Sequence, residues 1–216
     1  MKYGIFLTLC YFVSSTCFGA IDTVSVIGSA SSVFNNSYKK NASQLAATLV
    51  NQKKMVLCAN DGTGLSGAFL KTLSDRKGNF IAINYKENNT LSCPKQHPCN
   101  SNEVKQVSHF NDQIEYLISE ADGIVFLPGS FDVLYAFNYL QALSKQKEMI
   151  YKPVVFLNTN HYWDRLREML IEMKRQNIIS QNVLDTIAFE NRPENTIKTL
   201  EKLQKTIETL NQKDQL

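Results

Sequence analysis

The sequence has little surplus of either charge: 23 Lys and Arg stand against 20 Asp and Glu, a formal +3 at pH 7. The basic residues are scattered, so no stripe exists to track a phosphate backbone or hold an acidic membrane. Nucleic acid is therefore not an expected partner. Beyond residue 20 no apolar run is long enough to span a bilayer. Internal repeats are lacking, and so is any linker that would divide two domains. There is no G-x-S-x-G elbow with a Ser-His-Asp order, and no cluster of His, Cys and acids at metal-ligand spacing. These absences exclude a serine hydrolase of that type and leave no metal or cofactor to expect.

Residues 1–20 read MKYGIFLTLCYFVSSTCFGA. One Lys, an apolar stretch and then small residues follow the order of a secretory signal. Cleavage after Gly19 or Ala20 would free a strand beginning near Thr23, and export to a periplasm or beyond the cell is expected. The other reading of this segment is an uncleaved anchoring N-terminus. Residues 21–216 suit a single domain with a full core. Of the five Cys, Cys10 and Cys17 leave with the signal, and Cys58 lies in an apolar run as a core thiol. Cys93 and Cys99 flank PKQHP in a polar stretch, and an oxidising compartment would let them pair. With His97 they still fall short of the ligands that a structural zinc needs.

From Ile21 onward, short β-branched runs alternate with amphipathic helical stretches. The spacing predicts strands at 23–27, 55–59, 80–84, 123–127, 154–158 and 186–189, with helices near 37–52, 65–76, 110–120, 131–147, 162–176 and 194–211. Most strand runs are continuously apolar, as in strands covered on both faces. Such alternation predicts an α/β domain with a doubly wound, mostly parallel sheet and helices on both faces. Residues 86–107, rich in Asn, Ser, Lys and Pro, read as a surface loop.

Ligands of doubly wound sheets sit beyond the carboxyl ends of the strands, so the strand–helix turns matter most. Three carry glycine: VIGSASSVFNN with Gly28 and Ser29; CANDGTGLSGAF with Gly62, Thr63, Gly64 and Gly67; and FLPGSFDVLYAF with Pro128, Gly129, Ser130, Phe131 and Asp132. Glycine lets backbone N–H groups approach an anion, and a helix N-terminus adds favourable partial charge. Together they predict a small nucleotide-like or sugar-phosphate ligand. Asp61 and Asp132 lie on two of these turns and are placed to converge as a carboxylate pair. Both also read as ordinary turn and capping residues, with Ser130 capping the helix and Asp132 offsetting its dipole. His109, at the start of the helix before the fourth predicted strand, is a further candidate for the cleft. His161, Tyr162 and Trp163 read as a helix entry packed on the sheet edge.

The order GSAS, NDGTGLSGA, DGIVFLPGSFDVLYA and KPVVFLN resembles the LOG family, also known as lysine decarboxylase-like. The resemblance runs from about Val24 to about Phe189. It implies a Rossmann-like fold, often a homodimer, and cleavage of the N-glycosidic bond of nucleoside 5′-monophosphates. The family's P-G-G-x-G-T-x-x-E motif is altered here to Pro128-Gly129-Ser130-Phe131-Asp132-Val133-Leu134-Tyr135-Ala136. Ala136 stands at the catalytic Glu, and Gln113 and Ile114 stand at the family's Arg-Lys pair. Ala59-Asn60-Asp61 replaces the glycine-rich stretch ahead of Gly64.

A ribosyl cation-like transition state needs a carboxylate, which alanine cannot supply. A neutral amide cannot replace a guanidinium clamp. The sequence therefore predicts an exported ligand-binding relative without the hydrolase. Two alternatives stand beside it: a divergent N-glycosidase using Asp61, Asp132 or Glu120, and a non-catalytic interaction protein.

Overall fold

The computed structural model describes residues 20–85, 104–145 and 151–213, with side chains to residue 210. In chain order the elements are β1 (Thr23–Ile27), α1 (Asn36–Asn51), β2 (Met55–Ala59), α2 (Gly64–Asp75), β3 (Phe80–Tyr85), β4 (Val104–Val107), α3 (Phe110–Ser119), β5 (Gly123–Phe126), α4 (Phe131–Lys145), β6 (Val154–Leu157), α5 (Asp164–Arg175), α6 (Gln181–Asp185), β7 (Ile187–Glu190) and α7 (Thr196–Lys213). The strands form one seven-stranded sheet in the order β4-β3-β2-β1-β5-β6-β7. Each of its six neighbouring pairs is parallel.

Continuous apolar strands arise because both faces are covered. Along β5 and β6, Val125, Leu127, Val155 and Leu157 pack toward α1, α2 and α7. Their neighbours Ile124, Phe126, Val154 and Phe156 pack toward α3, α4 and α5. Phe156 is the hub of the second face, with Phe126, Phe189, Phe137 and Trp163 at centroid distances of 5.0 to 5.1 Å. Trp163 thus packs on an interior strand, not on the sheet edge that the sequence suggested. Cys58 is buried in the first face, as its apolar run implied.

The remaining differences are local. Residues 104–107, read as loop, form β4 and pair with β3 in register from Ala82↔Val104 to Tyr85↔Val107. With Lys105 and Gln106 exposed, this edge strand has too little apolar pattern to declare itself. A short α6 precedes β7, and single 3₁₀ turns at Thr159–His161 and Pro193–Asn195 precede α5 and α7. Cys93, Cys99, His97 and residues 1–19 lie outside the described residues.

Two polar devices hold the amino-end edge of the sheet. The Asp122 carboxylate accepts from the Asp22 and Thr23 amides at 3.0 and 2.8 Å, which fixes the start of β1. The Lys152 ammonium donates to the carbonyls of Ile118, Ser119 and Ala121, closing the C-terminus of α3. Burial lowers the Lys152 pKa, opposed by the nearby Asp122 and Glu120. Glu120, the third acid considered for catalysis, is the C-cap residue of α3 and so stands at this end. It does not reach the ligand turns.

Candidate functional site

Winding runs outward from β1 through β2 and β3 to β4, then returns to β5 on the other side of β1. The crevice of a doubly wound sheet therefore opens beyond the carboxyl ends of β1 and β5. The glycine turns singled out in the sequence surround it.

The turns after β1 and β2 are fastened to each other. The Ser29 carbonyl accepts from the Leu65 and Ser66 amides at 2.9 and 3.3 Å, the Thr63 hydroxyl donates to the Ala30 carbonyl at 2.7 Å, and the Ser31 amide donates to the Ser29 hydroxyl at 3.1 Å. Gly64 has φ +63°, and a Cβ there would lie 2.5 Å from backbone atoms of Ser29 and Ala30. A Cβ on Gly67 would lie 2.6 Å from the Gly62 carbonyl group. This close approach is what the Gly62, Gly64 and Gly67 spacing serves. The Leu65 and Ser66 amides of α2 are thus directed to Ser29.

The turn after β5 is built differently. Gly28 packs on the Leu127 side chain, and a Cβ on Gly129 would collide with Val133. The Ser130 carbonyl accepts from the Leu134 amide at 3.2 Å, which starts α4, while the Ser130 hydroxyl donates to the Asp132 carboxylate at 2.6 Å. Pro128 and Gly129 are buried. Phe131 is 87% exposed at the start of α4.

The electrostatics of the crevice are acidic. The Asp61 carboxyl is pushed up from 3.8 to about 6, mainly by burial, with the negative charge of Asp132 adding to the rise. The neighbouring Ser66 hydroxyl, facing the carboxyl, pulls the other way. Tyr162 is also pushed up, first by burial, then by Tyr38 and Asp132. Asp61 and Asp132 thus lie within reach of each other's field. Beside them Asn60, 5% exposed, continues the β2 ladder through its amide to the Ile83 carbonyl at 2.9 Å. Its side-chain oxygen and nitrogen both lack a partner.

Three residues were not singled out for the site by the sequence. Tyr162 donates to the Gly129 carbonyl at 2.6 Å, and Phe34, Tyr38 and Tyr162 form a mutual aromatic cluster at 5.3, 5.9 and 6.1 Å. The loop that brings Tyr162 there passes through left-handed Asn160 and His161 at φ 51° and 61°. It is tethered to α1 by Asn41 to Thr159 at 3.1 Å and Asn160 to Ser37 at 2.8 Å. The only hint in the sequence was a tyrosine at a helix entry. His109 is the N-cap residue of α3, exposed, with its amide donated to the Asp112 carboxylate at 2.9 Å.

The two motif positions have been put to structural use. Ala136 is fully buried in the α3/α4 face of the core. Gln113 is 3% exposed and donates its side-chain amide to the Ile83 carbonyl at 2.7 Å. Among the described residues no group of His, Cys, Asp and Glu is arranged to hold a metal ion, and no helix is long and apolar enough to cross a membrane.

The sequence model of the family described as possible lysine decarboxylase matches residues 67–200, more than half of the chain, and the chain belongs to that family. Its fold is shared by the molybdenum cofactor carrier protein MCP from Chlamydomonas reinhardtii, with a TM-score of 0.59 at 12% identity over 84% of this chain and 96% of that one. The molybdenum cofactor binding protein from the phototrophic bacterium Rippkaea orientalis gives 0.56 at 15% identity, over 84% and 96%. The structure of TM1055 gives 0.61 at 19% identity, over 84% and 99%. At these identities the likeness establishes the fold. No curated protein matches the sequence.

Proposed function

We propose that this chain is an exported binding protein for a nucleotide-type small ligand, and that it lacks the hydrolase activity implied by its resemblance to the LOG family. One observation carries the reading: the three glycine turns stand at the carboxyl ends of neighbouring strands β2, β1 and β5, while the positions of the family's Glu and Arg are a buried Ala136 and a Gln113 bonded to the Ile83 carbonyl. Two solved proteins of this fold are described as carrying or binding molybdenum cofactor, which supports a small-molecule cargo. Gly28, Ser29 and the turn from Asp61 to Gly67 line one wall of the proposed site, and Pro128, Gly129, Ser130, Phe131 and Asp132 line the other. Export rests on residues 1–20, and assembly as a homodimer on the family resemblance.

The test is a thermal-shift and calorimetric screen of the purified chain over nucleosides, nucleotides and sugar phosphates. A ligand held only by the folded state raises the midpoint. Absence of any shift would leave an interaction protein in its place.

The electrostatic coupling of Asp61 and Asp132 favours one second reading, a divergent N-glycosidase in which one carboxyl is protonated and the other ionised. Release of adenine from AMP, abolished by Asp132→Ala, would establish that reading over the first.

A further inference from the structure

We propose that the ligand is read through its N–H groups at the β2–α2 turn, where the Asp61 carboxylate, flanked by Asn60 and Ser66, receives the ring N–H and exocyclic amine of a 2-amino-4-oxopyrimidine edge. The proposal rests on the reading of this crevice as a ligand site. Such an edge is common to guanine and to pterins.

The places where a phosphate would ordinarily sit are disfavoured. Anions bind at a helix start when its amides are free and no like charge is present. At α2 the Leu65 and Ser66 amides are given to the Ser29 carbonyl. At α4 the Asp132 carboxylate occupies the first turn, held by the Ser130 hydroxyl. Two α2 amides already spent and a like charge at α4 disfavour an anion at these turns, so the crevice is suited to a donor-rich ligand.

The buried polar groups say what it needs. Asn60 and Ser66 are 5% and 6% exposed; among the described residues the side-chain amide of the first has no hydrogen-bond partner, and the hydroxyl of the second faces the Asp61 carboxyl. Buried polar atoms without partners are uncommon and costly. The Ser66 hydroxyl lies beside the Asp61 carboxyl, and the charge of Asp132 reaches the same group. An ionised carboxylate only accepts, and its two oxygens match two parallel N–H donors. The charge of Asp132 strengthens the preference for a donor-bearing edge.

Calorimetry of the full chain at pH 7.5 with guanosine, pterin, inosine, adenosine and guanosine 5′-monophosphate tests this. Inosine lacks the exocyclic amine, and adenosine lacks the ring N–H. Guanosine or pterin is expected to bind at least tenfold tighter than inosine and adenosine, and whichever binds tighter identifies the ring system. The 5′-phosphate should bring no gain, and Asp132→Asn should improve the monophosphate relative to guanosine. Asp61→Asn should abolish the preference for the amine while the melting temperature stays at or above that of the parent, which separates lost recognition from lost folding. Equal binding of guanosine and inosine, or an unaltered preference in Asp61→Asn, overturns the proposal. Adenosine 5′-monophosphate added as a sixth probe separates the two claims. If it binds best, the crevice is a ligand site and this assignment of its chemistry is wrong. If none of the six binds, both fall.

Discussion

Tyr162 and Gly129 are joined by a 2.6 Å hydrogen bond from the phenolic hydroxyl to the backbone carbonyl, linking the loop after β6 to the turn after β5. Removing the hydroxyl strands that carbonyl in a half-buried place. Tyr162→Phe should lower stability by about 1 kcal/mol in urea titration, near the usual worth of one such bond. If the loop shapes the crevice, ligand affinity falls further than this stability loss predicts.

Asp61 should make the protein less stable at neutral pH. Its folded pKa, about 6, lies above the ordinary 3.8. The folded state therefore holds the proton more tightly, and the contribution is complete below about pH 4 and lost as pH rises through about 6. Asp61→Asn should accordingly be more stable than the parent by about 1–3 kcal/mol at pH 7.5. The gap should close below about pH 4. Melting curves of both proteins across this range check the sign; a gap that widens in acid contradicts it.

Gly64 is irreplaceable for steric reasons. At φ +63° with backbone 2.5 Å from the site of a Cβ, Gly64→Ala must push the β1 and β2 turns apart. A loss of more than about 2 kcal/mol is expected by chemical denaturation, the left-handed backbone alone accounting for about 1 to 2.

Restoring the family's acid should not restore chemistry. Ala136 is fully buried against the core, so Ala136→Glu places an unpaired carboxyl among apolar side chains. The expected outcome is a stability loss of about 2–4 kcal/mol and no release of free base from nucleoside monophosphates by chromatography.

The central sheet was legible in the sequence because apolar runs and glycine turns recur at strand–helix spacing, and both are local signals. β4 was not, since Lys105 and Gln106 dilute its pattern and its order comes from pairing with β3. The glycines of the second turn were located correctly, but their purpose depends on a neighbour more than thirty residues away, since only the fold reveals that Ser29 takes the α2 amides. Tyr162 was hidden for a similar reason: two left-handed residues fold its loop back, and neither Asn160 nor His161 announces that conformation.

The bonds around Ser29 have a mechanical consequence. With two amides and one hydroxyl crossing between the first two turns, that half of the crevice behaves as a single stiff body. The opposite half carries Asp132 and hangs on the Tyr162 bond. Should the crevice take a guest as proposed, adjustment to an imperfect fit would fall to the second half, while the Asp61 side would act as a fixed template.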